Sequence, residues 1–226
     1  MDARHWQTAE RFLEHLTLER RLSANTAKSY RRDLVCLAEF CDRQDIAAFT
    51  DLRSQHLRRF AALSHAGGLS PRSIQRRLSG ARSLMNYLIR EGQLKSNPVA
   101  DVSAPQAPRN LPNTLDVDQM AQLLKIEGDE PATARDRAML ELFYSSGLRL
   151  SELVGLDLGA VDLDDGTVRV TGKGNKTRIV PVGRQAREQV RVWLKIRAQL
   201  ARNEERALFV GPRGNRISPR TVQMRV

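Results

Sequence analysis

A proline-rich segment near the middle of the chain limits what its 226 residues can fold into. Residues 103–113 read SAPQAPRNLPN and contain Pro105, Pro108 and Pro112 without a periodic apolar pattern. Because proline fixes φ and removes a backbone donor, this segment cannot continue a helix or a central strand. We therefore predict an extended linker at 103–113 that separates a first domain, residues 1–102, from a second domain, residues 114–226.

The first domain has the pattern of a helical bundle. Apolar residues recur every three or four positions in four segments, at about 5–20, 23–41, 54–64 and 71–92. Ser70 and Pro71 are typical of a helix N-cap and first helical residue, and Gly92 is typical of a helix end. Since each segment has one apolar face, we predict four helices packed as a compact bundle.

The second domain mixes helices and strands. Helical patterns occur at about 116–125, 133–145, 149 onward and 184–201, and strand-like alternation occurs at 167–171 and 177–182. A short apolar run covers 208–210, and Ser218-Pro219 predicts a further helix that the sequence follows for only one or two turns, so we expect a truncated C-terminus. The predicted fold class is mainly α with a small antiparallel β-sheet: a four-helix domain followed by a truncated α+β domain.

The charge of the chain favours a polyanionic partner. Lysine and arginine number 37 against 26 acidic residues, which gives a formal net charge of +11. A basic excess in both halves is typical of proteins that bind nucleic acid. An arginine-rich proteome would produce the same excess, so the charge indicates nucleic acid without excluding other interpretations.

Targeting segments and cysteines indicate a cytoplasmic protein. The N-terminal residues carry charges where a signal peptide needs an apolar core, and no apolar run reaches membrane-spanning length. Cys36 and Cys41 are five residues apart in a helical segment, a spacing that does not bring them together on one helix face. We expect two reduced thiols, with no disulfide, no metal site and no membrane partner.

Arg149 occupies a position where a phosphate could be bound. It follows Gly147 and Leu148 and precedes Ser151 and Glu152, which suit the first turn of a helix. A guanidinium offers paired donors to two phosphate oxygens and stays charged, and the amides of a helix start add to the positive field. The alternative is a surface arginine that forms an ion pair with Glu152. This segment alone leaves both interpretations open.

Lys173 lies in a glycine-rich turn between the two predicted strands. Gly172 and Gly174 on either side of it allow the positive φ that a tight hairpin needs. An ammonium at the tip could enter a DNA groove and protonate a departing 5′-oxygen. The alternative is a solvated turn lysine. Lys176 and Arg178 are predicted to contact, at most, phosphates of the DNA backbone.

Five strings in a fixed order carry a resemblance to a known family. They are LSANTAKSYRRDL at 22–34, SPRSIQRRLSGARSLMNYLIREGQLKSNP at 70–98, LPNTLDVDQMAQLL at 111–124, the GLRLSEL segment that contains Arg149, and GKGNKTRIVPVG at 172–183. Together they resemble the tyrosine recombinases of the Xer type, in the phage integrase family, over all 226 residues.

The resemblance implies that Arg149 is the first active-site arginine, Glu152 its acidic neighbour and Lys173 the hairpin lysine. It also implies that a tyrosine attacks a DNA phosphate, which gives a 3′-phosphotyrosyl link and a free 5′-hydroxyl without a metal or another cofactor. The first domain becomes a core-binding domain that clamps double-stranded DNA, with its second and fourth helices facing the major groove. The candidate contacts on these helices are Lys28, Arg31, Arg72, Gln75 and Arg76.

Part of the family pattern does not occur in this sequence. A His-x-x-Arg segment, a second histidine and the nucleophilic tyrosine would all lie beyond the position of Val226, and Tyr30, Tyr87 and Tyr144 do not match the nucleophile. We therefore expect the 226-residue form to bind DNA without cleaving it.

For the parent protein, the resemblance implies site-specific recombination in chromosome dimer resolution and segregation. Its partners would be a specific recombination site, a sister Xer recombinase in a heterotetramer and a septal DNA translocase. The alternative is a non-catalytic regulator or inhibitor that occupies recombination sites.

Overall fold

The computed structural model describes residues 3–20, 22, 24–106, 114–172, 174 and 176–226. The chain divides into two compact units, Met1–Leu111 and Pro112–Val226. The division falls within the proline-rich segment, of which residues 107–113 lie outside the described part. Each unit has its own buried apolar cluster, so each can be considered by itself.

Four α-helices form the described part of the first unit, as the apolar periodicity predicts. They are α1 (Ala3–Leu18), α2 (Ala24–Arg43), α3 (Ser54–Ala66) and α4 (Pro71–Arg90), with a short 3₁₀ turn at Phe49–Asp51. At the start of α4 the Ser70 hydroxyl accepts a hydrogen bond from the Ser73 amide at 3.3 Å, which confirms the predicted cap. The sequence also predicts an N-cap at Ser23 for α2, but Ser23 lies outside the described residues.

The four helices bury one continuous apolar core. Phe12, Leu34, Phe40, Leu57 and Leu84 are among its fully buried side chains. Helices α2 and α4 approach closely where Gly80 faces the Tyr30 ring: a Cβ at Gly80 would lie 3.5 Å from it. Both cysteines are free, and burial raises the pKa of the Cys41 thiol to about 12, so this thiol stays protonated and unreactive.

The second unit combines helices with a small antiparallel sheet, which confirms the predicted fold class. Its elements are α5 (Val117–Leu124), α6 (Pro131–Ser146), α7 (Leu150–Val154), β1 (Val161–Asp162), β2 (Thr167–Thr171), β3 (Thr177–Pro181), α8 (Arg184–Leu200) and α9 (Pro219–Arg225). The strands are ordered β1-β2-β3, and Val170 of β2 lies opposite Arg178 of β3. The sequence predicts β2 and β3 but not β1, because two residues are too few to alternate.

The apolar run at 208–210 forms no strand of its own. Its strand-like pairing is limited to two single bridges, Asp157 with Ala207 and Val210 with Arg216. Leu208, Phe209 and Val210 are nevertheless buried, and the Leu208 carbonyl accepts a 2.9 Å hydrogen bond from the Trp193 indole of α8. The run is therefore a core segment under α8. No helix among the described residues is both long and apolar enough to span a membrane.

Candidate active site and candidate DNA-binding face

A sharp corner between α6 and α7 positions Arg149. Gly147 ends α6 in the left-handed region at φ 55°, where its amide donates to the Phe143 carbonyl at 3.0 Å. Leu148 is buried and anchors the corner, and Arg149 is the extended residue that caps the start of α7. The Arg149 side chain is 70% exposed, so its guanidinium is directed to solvent beside the helix start.

The carboxylate of Glu152 is the centre of this site. Its side chain is 1% exposed, and it accepts hydrogen bonds from two arginines. Oε2 accepts from the Arg149 amide at 2.9 Å, and Oε1 accepts from Arg149 Nη1 at 3.0 Å. Arg178 donates Nη1 to Oε1 at 2.6 Å and Nη2 to Oε2 at 2.9 Å. Each oxygen therefore accepts two donors, which fills the roughly four lone-pair sites of a carboxylate.

These hydrogen bonds fix the charge of Glu152. The two parallel hydrogen bonds from Arg178, here called its fork, contribute most to lowering the pKa of the Glu152 carboxyl to about 2. Burial acts in the opposite direction. The hydrogen bonds that Arg178 donates to Glu152 in turn raise the pKa of Arg178. The site is thus a charged triad of one carboxylate and two guanidiniums at neutral pH, with a net charge of one positive unit.

The lowered pKa predicts that the second unit loses stability in acid. Since the folded carboxyl titrates at about 2 and its usual value is 4.5, the ion pair stabilises the fold above pH 4.5. Its contribution is lost as the pH falls from 4.5 towards 2. We expect Glu152→Gln to lower the free energy of unfolding by about 2 kcal/mol at neutral pH and to flatten its dependence between about pH 5 and 3. Urea unfolding of the second unit over this range, with wild type as reference, checks both expectations.

The structure pairs Arg178 with Glu152, a contact that the sequence analysis did not foresee. Val168, Val170 and Val180 are the inward residues of β2 and β3, and Arg178 is on the same face because it lies opposite Val170. The Arg178 side chain is 41% exposed, and its ion pair with Glu152 holds the guanidinium at the end of that face. The predicted contact between Arg178 and DNA stays a prediction, but both ends of its fork are already engaged within the protein.

The base of the β2–β3 hairpin lies directly against the same carboxylate. Lys173 and Asn175 lie outside the described residues, but the Gly172 amide donates to the Lys176 carbonyl at 2.9 Å and closes the hairpin. A Cβ at Gly172 would lie 3.0 Å from Glu152 Oε1 and 3.4 Å from Arg178 Nη1. Any larger residue here would crowd the carboxylate, so glycine favours this close approach. Lys176 is exposed next to this contact.

The candidate DNA contacts of the first unit divide into two kinds. Lys28 of α2 and Arg72 and Gln75 of α4 are exposed. Arg31 of α2 lies over the Trp6 ring, with its guanidinium carbon 5.1 Å from the ring centroid. Arg76 forms an ion pair with the buried Asp33 of α2.

Asp33 gives the helix pair a buried negative charge. Burial raises the pKa of its carboxyl, while the nearby guanidiniums of Arg76 and Arg77 act in the opposite direction. Arg77 Nε lies 3.9 Å from Asp33 Oδ1, so two arginines of α4 face one carboxylate of α2. Arg76 therefore holds the two candidate DNA-facing helices together, a role that the sequence analysis missed because the two residues are 43 positions apart.

Comparisons with known proteins place these features in one family. The model of the phage integrase family matches residues 113–226, and the model described as phage integrase, N-terminal SAM-like domain, matches residues 9–92. Tyrosine recombinase XerC of Azotobacter vinelandii (strain DJ / ATCC BAA-1303) is 52% identical over 217 residues, which is 95% of this chain and 72% of that protein. The protein of the same name from Pseudomonas aeruginosa (strain LESB58) is 50% identical over 95% of this chain and 71% of its own length.

Solved structures share the fold at low sequence identity. XerH site-specific recombinase bound to palindromic difH substrate has a TM-score of 0.72 and 18% identity over 95% of this chain and 74% of that chain. The Tn1549 transposon integrase in complex with transposon right end DNA has a TM-score of 0.76 and 17% identity over 93% of this chain and 73% of that chain. Both matches confirm the architecture of a helical domain followed by an α+β domain.

The comparisons also test the finer resemblance. Within the Xer type the sequence pattern predicts the XerC branch rather than its XerD sister, and both relatives described above carry the name XerC. With a family model matched over half of its length and relatives about half identical to it, the chain belongs to the phage integrase family of tyrosine recombinases.

Proposed function

We propose that this chain binds double-stranded DNA at a recombination site and activates one phosphodiester for attack, as part of a Xer-type site-specific recombinase. The observation that carries the proposal is the charged triad at the start of α7. Because Arg178 fills half of the acceptor sites of Glu152, Arg149 needs only one side-chain N–H for that carboxylate. Among the described residues its remaining N–H groups make no other hydrogen bond, so on a side chain 70% exposed they can bind two phosphate oxygens.

In the proposed reaction each group has one task. The hydroxyl of a tyrosine gives its proton to water, its oxygen forms a bond to phosphorus, and the bond between phosphorus and the 5′-oxygen breaks. Arg149 stabilises the negative charge on the non-bridging oxygens as the five-coordinate state forms. Lys173 gives its proton to the departing 5′-oxygen. Glu152 takes no proton, since its pKa is about 2, and acts by orienting Arg149.

The proposed partners follow from the same function. One solved structure is a λ integrase tetramer bound to a Holliday junction, with a TM-score of 0.74 and 16% identity over 97% of this chain and 60% of that chain. We propose a comparable tetramer with a sister Xer recombinase on DNA, under the control of a septal DNA translocase. Action on the chromosome of a bacterium implies a cytoplasmic protein.

DNA binding by the first unit is tested through its salt dependence. We expect the double variant Lys28→Ala/Arg72→Ala to weaken binding to a duplex and to lower the slope of log K against log [salt] by about 2, since each lost phosphate contact removes about 0.9. Fluorescence anisotropy at several salt concentrations measures this slope.

The matched control is the double variant Arg58→Ala/Arg59→Ala, which removes two exposed charges of α3. The control is expected to change the slope by less than about 0.5 because long-range charge alone is screened. An equal loss of DNA affinity and salt slope in both double variants would contradict specific binding of DNA to the exposed residues of α2 and α4. If Lys28→Ala/Arg72→Ala binds DNA with unchanged affinity, Lys28 and Arg72 do not contact DNA.

A further inference from the structure

Arg178 occupies an unusual place for a charged residue on a strand. Side chains on β2 and β3 alternate between a face packed on the core and a face in solvent. Arg178 is on the core face, in line with Val168, Val170 and Val180, whereas Ile179 beside it is exposed. On this face the 41% exposed side chain of Arg178 loses part of its hydration, and the Glu152 carboxylate of α7 provides a fixed partner.

The geometry of this pair depends on a guanidinium. Arg178 donates two N–H groups, one to each oxygen of Glu152, at 2.6 and 2.9 Å. An ammonium is a point charge with no planar fork and cannot reproduce this bidentate contact. Without the fork, a carboxylate that is 1% exposed would retain only the amide and one N–H of Arg149. It would then draw a second N–H from Arg149, the same group that the phosphate needs.

The fork also connects α7 to the hairpin. Arg178 lies opposite Val170, and one step further Thr171 lies opposite Thr177, with their hydroxyls 3.2 Å apart. The next residue, Gly172, is the one whose Cβ position lies 3.0 Å from Glu152 Oε1. The chain therefore enters the turn that contains Lys173 directly from the Arg178–Glu152 contact.

We propose that Arg178 is a positioning residue, whose fork on Glu152 locks the β2–β3 hairpin to the start of α7 and leaves the outer N–H groups of Arg149 available for a phosphate. The proposal rests on the proposed function, in which Arg149 and the hairpin act on one phosphodiester. It assigns Arg178 to the support of the site rather than to direct contact with DNA.

Hydrogen exchange tests, without DNA, whether the Arg178–Glu152 contact holds the β2–β3 hairpin against the start of α7. The Gly172 amide donates to Lys176 and so reports whether the hairpin base is closed. In Arg178→Ala and in Arg178→Lys we expect its exchange rate to rise by about tenfold or more, since a charge-assisted hydrogen bond corresponds to about that factor. In both variants the pKa of Glu152, followed by NMR of its carboxyl carbon, should rise. Arg178→Lys keeps the charge and the aliphatic stem, so it serves as the variant that retains the fold.

Arg169→Ala is the matched control, because Arg169 is an exposed cation of β2 that lies opposite Ile179 in the same sheet. It is expected to leave the Gly172 exchange rate and the Glu152 titration unchanged. Unchanged exchange at Gly172 in both Arg178 variants would overturn the proposal.

DNA assays separate positioning from direct contact. In a recombinase that carries this chain together with the nucleophilic tyrosine of the family, Arg178→Ala and Arg178→Lys should both cut DNA at least about tenfold more slowly, with unchanged DNA affinity. If Arg178 contacts a phosphate instead, alanine weakens binding and lowers the salt slope by about 0.9, and lysine restores both. If the proposed function is wrong, the wild-type recombinase does not cleave DNA either. The effect of the Arg178 variants on hydrogen exchange at Gly172 would still be observed, because it does not depend on DNA.

Discussion

Replacing Arg149 with alanine is expected to reduce the rate of DNA strand cleavage by about 10²–10³-fold, the usual effect of removing one preorganised donor from a charged transition state. The side chain is 70% exposed and forms only one side-chain hydrogen bond to Glu152 in the described part of the protein. Its removal leaves the fork from Arg178 to Glu152 in place, so the fold of the site should be retained. The effect therefore falls on the chemical step.

The measurement is single-turnover cleavage of a nicked duplex by a recombinase that carries this chain and the family's nucleophilic tyrosine. Arg149→Lys keeps the charge and loses the bidentate geometry, so we expect it to lie between alanine and wild type. Arg184→Ala, which removes an exposed cation at the start of α8, is the control and should cleave normally. A loss of DNA affinity as large as the loss of rate would contradict a role in the chemical step.

Local patterns were sufficient to predict most of the helices. The apolar residues of α2 and α4 recur at helical spacing, and two helix N-caps can be identified from neighbouring residues alone. At α5, the sequence pair Asp116 and Gln119 predicts a capping box, and the structure confirms it: the Asp116 amide donates to the Gln119 side chain at 3.1 Å and the Gln119 amide donates to Asp116 at 2.8 Å. Such interactions span three residues, so the sequence contains all of their information.

Contacts that depend on tertiary pairing were not predicted. Arg178 and Glu152 are 26 residues apart, and Arg76 and Asp33 are 43 apart. For Arg178 a signal exists in the sequence, because a hairpin closed at Gly172 and Lys176 places Arg178 opposite Val170 and hence on the core face. For Arg76 no such rule exists, since the facing residue depends on how two helices pack.

The largest effect on stability is expected from Asp136→Ala in α6. Asp136 and Arg135 are both buried, and Arg135 donates Nε and Nη2 to Asp136 Oδ1 at 2.9 and 2.7 Å. Removing the carboxylate leaves a buried guanidinium without its counter-charge, which costs about 3–5 kcal/mol of unfolding free energy. Urea unfolding measures this loss. The fluorescence of Trp193, which is buried in the second unit, reports it in a Trp6→Phe background.

Two further variants determine whether the cost arises from the unpaired charge. Arg225 of α9 also lies near Asp136, with Nε 3.4 Å from Oδ2, but it is exposed, so Arg225→Ala should cost less than about 1 kcal/mol. Arg135→Met/Asp136→Leu removes both charges and should recover most of the stability lost in Asp136→Ala, because apolar residues can replace a buried ion pair.

A double variant as unstable as Asp136→Ala would indicate that a different contact is decisive. The candidate is the hydrogen bond from Arg135 Nη1 to the Val210 carbonyl at 3.2 Å, which joins α6 to the buried 208–210 segment. Either result concerns the active site, since α6 ends at the Gly147 corner and the next turn begins at Arg149. If the Gly147 corner stays intact, cleavage by these variants should fall only in proportion to the loss of folded protein. If α6 instead shifts at its buried charge pair, the Arg149 guanidinium moves with it and cleavage should fall further than the folded fraction.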